Sequence, residues 1–461
     1  MASIMVVAGT HAAEHKPLHP DSQPAYLDRV TEYSSPLLAE DPPPKNSNVS
    51  KQRLVSLDVF RGLTVALMIL VDDAGKAFPS INHAPWFGVT LADFVMPFFL
   101  FGVGVSVSLV FKNVSDRLAA TKKVVLRSVK LFMLGVLLHG GYFHGRDNLT
   151  YGVDVTKIRV MGVLQRIAIG YLLASGLEIW LVKNTVVNSA VAFVKRYSLQ
   201  IGAGIVLGSL YMVLLYGVYV PNWTFDESSL SMILPISQGA SRRTVQCGVR
   251  GSLKPPCNAV GFIDRIILGE KHLYQHPVYR RTKECSSNSP DYGPLPPNSP
   301  VWCLAPFDPE GILSSLMAAI TCFIGSPINP AGPDAECVPF SKPLYTLSYM
   351  FITAGASGVL LTALYFLVDI KCIRKPSVIF QWMGMNALIV YALAACDIFP
   401  AALQGFYWRS PENNLVDLFE KLLQSLLHSQ KWGTLVFVML EILFWGAVAC
   451  YLHLKRIYIK A

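Results

Sequence analysis

The stretch RLVSLDVFRGLTVALMILVDDAGKAFPSINHAPWFGVTLADFVMPFFLFGVGVSVSL, residues 53–109, decides the fold class. It holds two long apolar runs, each near the roughly 20 residues a helix needs to cross about 30 Å of hydrocarbon. A short polar connection joins them, and His83 stands alone within it. Asp58 and Arg61 lie near the start of the first run and Asp93 near the start of the second, where hydrocarbon makes ionisable groups costly. Such groups are functional candidates by default. Asp58 and Arg61 are three apart and share a helical face, so they either neutralise each other or hold a charged ligand together. The connection is too short to fold alone, which leaves His83 at the membrane surface, at the mouth of whatever the helices enclose.

The composition of the whole chain agrees. Among 461 residues, 52% are hydrophobic and only 15% charged, which excludes an ordinary soluble multidomain protein. The net charge of +9 is not a nucleic-acid footprint, because the Lys and Arg residues fall between apolar runs and form no basic stripe with interleaved aromatics. Membrane orientation accounts for them. The expected fold is an all-α integral membrane protein, a polytopic helix bundle. About eight spans are expected, at 54–72, 90–111, 124–142, 159–182, 199–220, 344–370, 378–396 and 433–454. A ninth run, 311–325, is too short to cross untilted and reads as a re-entrant or truncated helix. Lys112, Arg117, Lys122, Lys123 and Arg127 after the second span, and Lys183, Lys195 and Arg196 after the fourth, belong on the cytosolic side. Lys371, Arg374 and Lys375 ask for the same side, as do Lys455, Arg456 and Lys460. All of these demands are met when 311–325 does not cross, so that 221–343 stays on the outer, lumenal side.

Four regions follow. Residues 1–52 read as a disordered cytosolic tail without an apolar signal-peptide core, so the first helix is expected to act as the insertion signal. Residues 53–220 form an N-terminal helix bundle with the His83 connection, 221–310 a lumenal loop, and 311–461 a C-terminal bundle. The loop contains Cys247, Cys257, Cys285 and Cys303, and an exoplasmic setting favours two disulfides with three pairings open. A zinc site is the rival reading, but the close Cys pairs of metal knuckles are absent and no metal is expected. Sequons at Asn148 and Asn222 fall on the lumenal side and are the expected glycosylation sites, whereas those at Asn48 and Asn113 are cytosolic. Residues 415–428 have an amphipathic helical period that suits either the membrane interface or a neighbouring helix.

Taken together, SLDVFRG (56–62), HAPWFGVTLADFVMPFF (83–99), KIRVMGVLQR (157–166), GFIDRIILGEKHLYQHP (261–277), FDPEGIL (307–313) and GMNALIVY (384–391) resemble the heparan-alpha-glucosaminide N-acetyltransferase family. These are multi-span enzymes that carry an acetyl group from cytosolic acetyl-CoA to a lumenal amino sugar. The resemblance places the family's active-site histidine on His83. It also places a functional asparagine at position 72, where this chain has Asp72, and a carboxylate titrates where an amide only hydrogen-bonds. A second departure is larger. SPINPAGPDAECVPF (326–340) bridges a gap where family members have the rest of a helix, a cytosolic connection and one further span, so about one and a half helices are expected to be lacking.

The chemistry fits that assignment. Acetylating an amine requires it neutral, and in an acidic lumen a base must take its proton; a histidine titrates in that range. His83 either acts as that base or carries the acetyl group as a nucleophile, with Asp72 as the second catalytic candidate. Coenzyme A cannot cross a bilayer, so its nucleotide end is expected at the cytosolic face near Asp58 and Arg61, with Asn386 a further cofactor contact or an interhelical bridge. Arg159 and Arg166, seven apart on one helical face, bind an anionic sugar or pair with Asp93 or Glu310. Asp264, Arg265, His272 and His276 form a polar group that either recognises the sugar or stabilises a lid by its own ion pairs. Asp308-Pro-Glu310 has the form of a helix entry. The expected partners are the lipid bilayer and an amino sugar or glycan acceptor, with no nucleic acid; the assembly is open, a homodimer included. A lysosomal or vacuolar membrane is preferred over the plasma membrane. The competing functions are a small-solute transporter, favoured by buried charges, and an inactive or shortened variant of the family.

Overall fold

A computed structural model describes residues 54–75, 77–112, 114–140, 142–144, 150–152, 158–182, 190–226, 242–325, 340–395, 407–408 and 410–458. The tail at 1–52, the bridge at 326–339 with Cys337, and the sequons at Asn48, Asn113 and Asn148 lie outside the described residues.

Every apolar run becomes helix. The helices are α1 (Val55–Ala74), α2 (Leu91–Phe111), α3 (Arg117–Gly140), α4 (Val163–Leu181), α5 (Ala190–Gly217), α6 (Ala259–Leu268), α7 (Ile312–Gly325), α8 (Leu347–Tyr365), α9 (Val378–Met385), α10 (Ala387–Ala395), α11 (Leu415–Leu426) and α12 (Gln430–Leu454). Among the described residues, four helical stretches are long and apolar enough to cross a membrane: Leu91–Phe111, Val194–Gly217, Leu347–Ile370 and Gln430–Leu454. A fifth counts if the bent pair Lys375–Met385 and Ala387–Ala394, broken by 76°, is one span. The helices α1, α3 and α4 have 20, 24 and 19 residues but carry charged side chains, in α4 Arg166 and Glu178. The run expected as a continuous seventh span is therefore broken, and Asn386 sits at the break, capping α9 with its N–H on the Met383 carbonyl. Residues 312–325 form α7, a short, largely buried helix.

Small residues set how closely the helices approach. A Cβ added at Gly62 would lie 1.8 Å from the Phe380 carbonyl oxygen, and one at Gly384 would lie 1.7 Å from that of Asp58. α1 and α9 therefore touch backbone to backbone, the packing mode that small residues permit where lipid supplies no hydrophobic drive. Gly104 does the same for α2 against α7, its added Cβ falling 2.1 Å from the Cys322 oxygen. Two apolar cores result. One joins α2, α4, α5 and α7 to the segment before α8, through Leu100, Ala174, Tyr211, Met317 and Tyr345. The other joins α1, α9, α10 and α12, through Val65, Ile69, Met383, Val390 and Val438.

The described part of the loop, 218–226 and 242–310, is folded. It contains β1 (Trp223–Asp226) paired antiparallel with β2 (Arg242–Val245), the helix α6, and disulfides Cys247–Cys257 and Cys285–Cys303. Of the three pairings the sequence left open, the structure forms this one. Trp86, from the His83 connection, inserts into the loop's aromatic cluster with ring centroids 5.2 Å from Phe307 and 5.9 Å from Tyr279, and its indole N–H donates to the Leu253 carbonyl at 2.9 Å. The loop thus clasps the connection that carries His83. α11 pairs with α12 through Glu420, which accepts from Thr434 at 2.7 Å, and through Phe419 against Phe437; Leu418, Leu422 and Leu426 lie exposed along it.

A steric test follows from the α1–α9 contact. Gly384→Ala is expected to lower the thermal midpoint in detergent, at a cost of about 1–3 kcal/mol for overpacking. Gly355→Ala, whose added Cβ meets nothing within 4 Å, is expected to leave the midpoint unchanged or raise it.

Candidate functional site

Asp93 anchors the site. It lies in the first turn of α2 with no exposed surface, and a buried carboxylate is tolerated only with donors around it. The donors are local. Thr90, just before the helix, donates its backbone N–H and its hydroxyl to Oδ2, both at 3.0 Å, and the Ala84 N–H adds a third bond at 3.2 Å. The other oxygen, Oδ1, sits 2.8 Å from His83 Nδ1. The Asn82 side chain accepts the His83 N–H at 2.8 Å, and the ring keeps 30% of its side-chain surface open. Held this way, Nδ1 carries the proton toward Asp93 and Nε2 presents its lone pair, the arrangement a carboxylate imposes on a catalytic histidine.

A third group completes the centre. Lys342 Nζ lies 2.9 Å from His83 Nδ1, 3.2 Å from Nε2 and 3.8 Å from Asp93 Oδ1. The segment that carries it is fastened to the histidine's own connection. The Ser341 hydroxyl donates to the Trp86 carbonyl at 3.0 Å, the Gly88 N–H donates to the Phe340 carbonyl at 2.9 Å, and Tyr211 donates to the Leu344 carbonyl at 2.7 Å. Burial pushes the His83 imidazolium down from its ordinary range and the Lys342 charge pushes it further, against the contrary pull of Asp93. Burial also lowers Lys342, while Asp93 and Glu310 favour its charged form. Lys342 gave no signal as a site residue in the sequence. The one available hint was a lysine within 221–343, the stretch expected on the lumenal side, where the positive-inside pattern does not place it.

Around this centre the other sequence candidates separate into groups. Asp72 is exposed on the last turn of α1 and acts electrostatically on Lys342, as do Glu310 and Arg166. Arg159 grips Asp308 with two bonds, at 2.9 and 2.6 Å, reaches Glu310 at 3.0 Å, and lies over the Tyr274 ring at 4.6 Å. Burial would lower this guanidinium, but Asp308 and Glu310 outweigh it and hold it above the ordinary arginine range. Of the two partners weighed for the arginines, Arg159 takes Glu310, and Arg166 pairs with neither. Arg166, fully buried, donates to the Pro309 carbonyl and to the Ser314 hydroxyl beneath the entry of α7.

The expected polar group of the outer loop does not converge. Asp264 accepts the Ile312 N–H at 2.9 Å and occupies the space beside Gly311, so it anchors the start of α7. Arg265 stacks on Trp223 at 3.7 Å, and burial pulls it down to about 10. His272 bonds the Ile158 carbonyl at 2.7 Å, and His276 packs its ring edge on Tyr274. On the other flank Asp58 pairs with Arg61 at 3.6 Å, and Arg61 also donates to Ser106. Asn386 is buried at the α9–α10 break, and neither amide atom has a hydrogen-bond partner among the described residues. Asn222 is exposed, its side-chain oxygen accepting the Cys247 N–H at 2.7 Å.

These features define a class: a helical membrane protein whose bundle presents a histidine–carboxylate–lysine centre at one mouth, beneath a disulfide-bonded loop. Residues 53–234 match the family model described as the catalytic region of heparan-alpha-glucosaminide N-acetyltransferase. Enzymes of that name from Mus musculus and Homo sapiens are 26% and 25% identical to the chain over 455 and 430 residues, covering 88% and 84% of it. The chain is similar in sequence to the heparan-alpha-glucosaminide N-acetyltransferases. It spans 62% and 58% of the length of these two enzymes.

Asp264 supplies a pH test. Burial raises its carboxyl to about 7, above the ordinary range. A carboxyl whose folded-state value is raised stabilises the fold below the unfolded value near about 3.9, and that contribution is lost as pH rises through about 7. The thermal midpoint of the wild type is therefore expected to fall across that window relative to Asp264→Asn, which keeps the acceptor for Ile312. Equal pH slopes in the two proteins would contradict this.

Proposed function

We propose that this chain is a transmembrane N-acetyltransferase that moves the acetyl group of cytosolic acetyl-CoA to the amine of a lumenal glucosamine-type sugar. The observation that supports it most directly is the His83–Asp93 contact of 2.8 Å within the segment that matches the catalytic family model. The relatives' name supplies the reaction class and the acceptor class.

The residues do the following work. Asp93 fixes the imidazole tautomer, so His83 Nε2 takes a proton from the amine as its nitrogen bonds to the thioester carbonyl carbon. Collapse of the tetrahedral intermediate breaks the C–S bond, and the imidazolium returns the proton to the departing thiolate. Amide and free thiol result, with His83 restored. Arg61 and Ser106, at the opposite ends of α1 and α2 from His83, suit the anionic end of the donor. The reading places α1, α3 and α4 across the bilayer beside the more apolar spans, with their charged faces turned into the bundle. It also places the 221–310 loop, and a glycan at Asn222, on the lumenal side of an acidic organelle.

Besides the buried charges, the break at Asn386 favours solute transport, since transporters build their sites at discontinuous helices. Reconstituted vesicles separate the two readings. With labelled acetyl-CoA outside and glucosamine inside, label is expected on the sugar in the wild type, with at least a roughly 100-fold loss in His83→Ala and a smaller loss in Asp93→Asn. Passage of unmodified glucosamine without acetyl-CoA, or full activity of His83→Ala, would overturn the assignment.

A further inference from the structure

Lys342 stands where a lysine is unexpected, against the ring that must accept a proton. Three charged groups face His83 from three elements: Asp93 from α2, Lys342 from the segment before α8, and Arg281 from the outer loop. A second ring acts on Lys342 itself, formed by Asp72 of α1, Glu310 before α7 and Arg166 of α4. Asp291 approaches the connection through Asn82 at 3.5 Å and sits 3.9 Å from Arg281.

The geometry allows one cation at the centre. Nζ is 2.9 and 3.2 Å from the two ring nitrogens, so an ammonium and an imidazolium would repel at hydrogen-bonding distance, with Asp93 the one carboxylate in contact with both. Lysine is intrinsically the stronger base, at about 10.4 against about 6.5 for histidine, and burial lowers both groups, so the proton favours Lys342. Asp93 acting alone would do the reverse and stabilise the imidazolium. We propose that Lys342 is a positioning residue whose ammonium keeps His83 neutral and able to accept a proton in an acidic compartment. The rigid attachment of 340–346 to the Trp86–Gly88 turn holds the amine there. The sequence separation of 259 residues makes this a contact the fold has to build.

The proposal rests on the reading of His83 as the base, and its test does not depend on turnover. Diethyl pyrocarbonate modifies the neutral imidazole, so its rate at His83, read by peptide mass spectrometry on the full-length protein in nanodiscs, reports the neutral fraction at each pH. The wild type is expected to reach half-maximal rate below pH 6.5 and Lys342→Met at a pH higher by a unit or more, with roughly tenfold slower modification of the variant near pH 5. Lys342→Arg, which keeps the charge, is expected to stay near the wild type. The exposed His428 serves as an internal reference for reagent and fold. If Lys342→Met fails to fold, Lys342→Gln reads the same midpoint. A midpoint in the charge-neutral variants equal to or below that of the wild type overturns the proposal. Absence of acetyl transfer in a protein whose midpoint does shift overturns the functional reading and leaves this one standing.

Discussion

A negative charge with no exposed surface has to be answered by donors, and Asp93 imposes that demand on everything near it. Its two oxygens collect Thr90, Ala84 and His83, which ties the first turn of α2 to the connection that precedes it. Its backbone carbonyl accepts the Tyr349 hydroxyl, which ties the same turn to α8. The connection in turn holds Trp86 in the outer loop and receives Ser341 beside Lys342. One buried carboxylate therefore organises three stretches of chain around a single imidazole, and the stability of the mouth and the chemistry of the ring share a cause.

Below the mouth the bundle meets a different constraint. Charged residues inside hydrocarbon need partners on neighbouring helices, and neighbours come close only where side chains are small. Gly62 and Gly384 provide that approach between α1 and α9 and Gly104 between α2 and α7, while the Asp58–Arg61 pair reaches from α1 to Ser106 on α2. A second, outer layer built from Arg159, Asp308, Glu310 and Arg166 fastens the entry of α7, so the short helix is held by ion pairs at its first turn and by apolar contacts along its length.

Much of this was legible in the sequence. Apolar runs marked every long helix, because in lipid only helices satisfy their own backbone. The four loop cysteines were legible as two disulfides, but their pairing depends on three-dimensional proximity. The isolation of His83 between two spans marked it as well, whereas the role of Asp93 was hidden in plain view: Thr90-x-x-Asp93 has the spacing of a capping box, and that local bond aims the carboxylate back at the histidine. Lys342 was not legible, since its partner lies in a remote part of the chain and the two are joined only by tertiary packing. The bend at Asn386 was hidden for another reason: the surrounding residues are uniformly apolar, and hydrophobic period alone does not distinguish a straight span from a broken one.

The central claim is that His83 stands neutral, with Nδ1–H donating to Asp93 and Nε2 unprotonated, in an acidic medium. Nitrogen-15 magnetic resonance of histidine-labelled protein in lipid, at about pH 5 and assigned by difference against His83→Gln, measures this directly. The account predicts one protonated and one bare ring nitrogen at His83. Two protonated nitrogens there would contradict it.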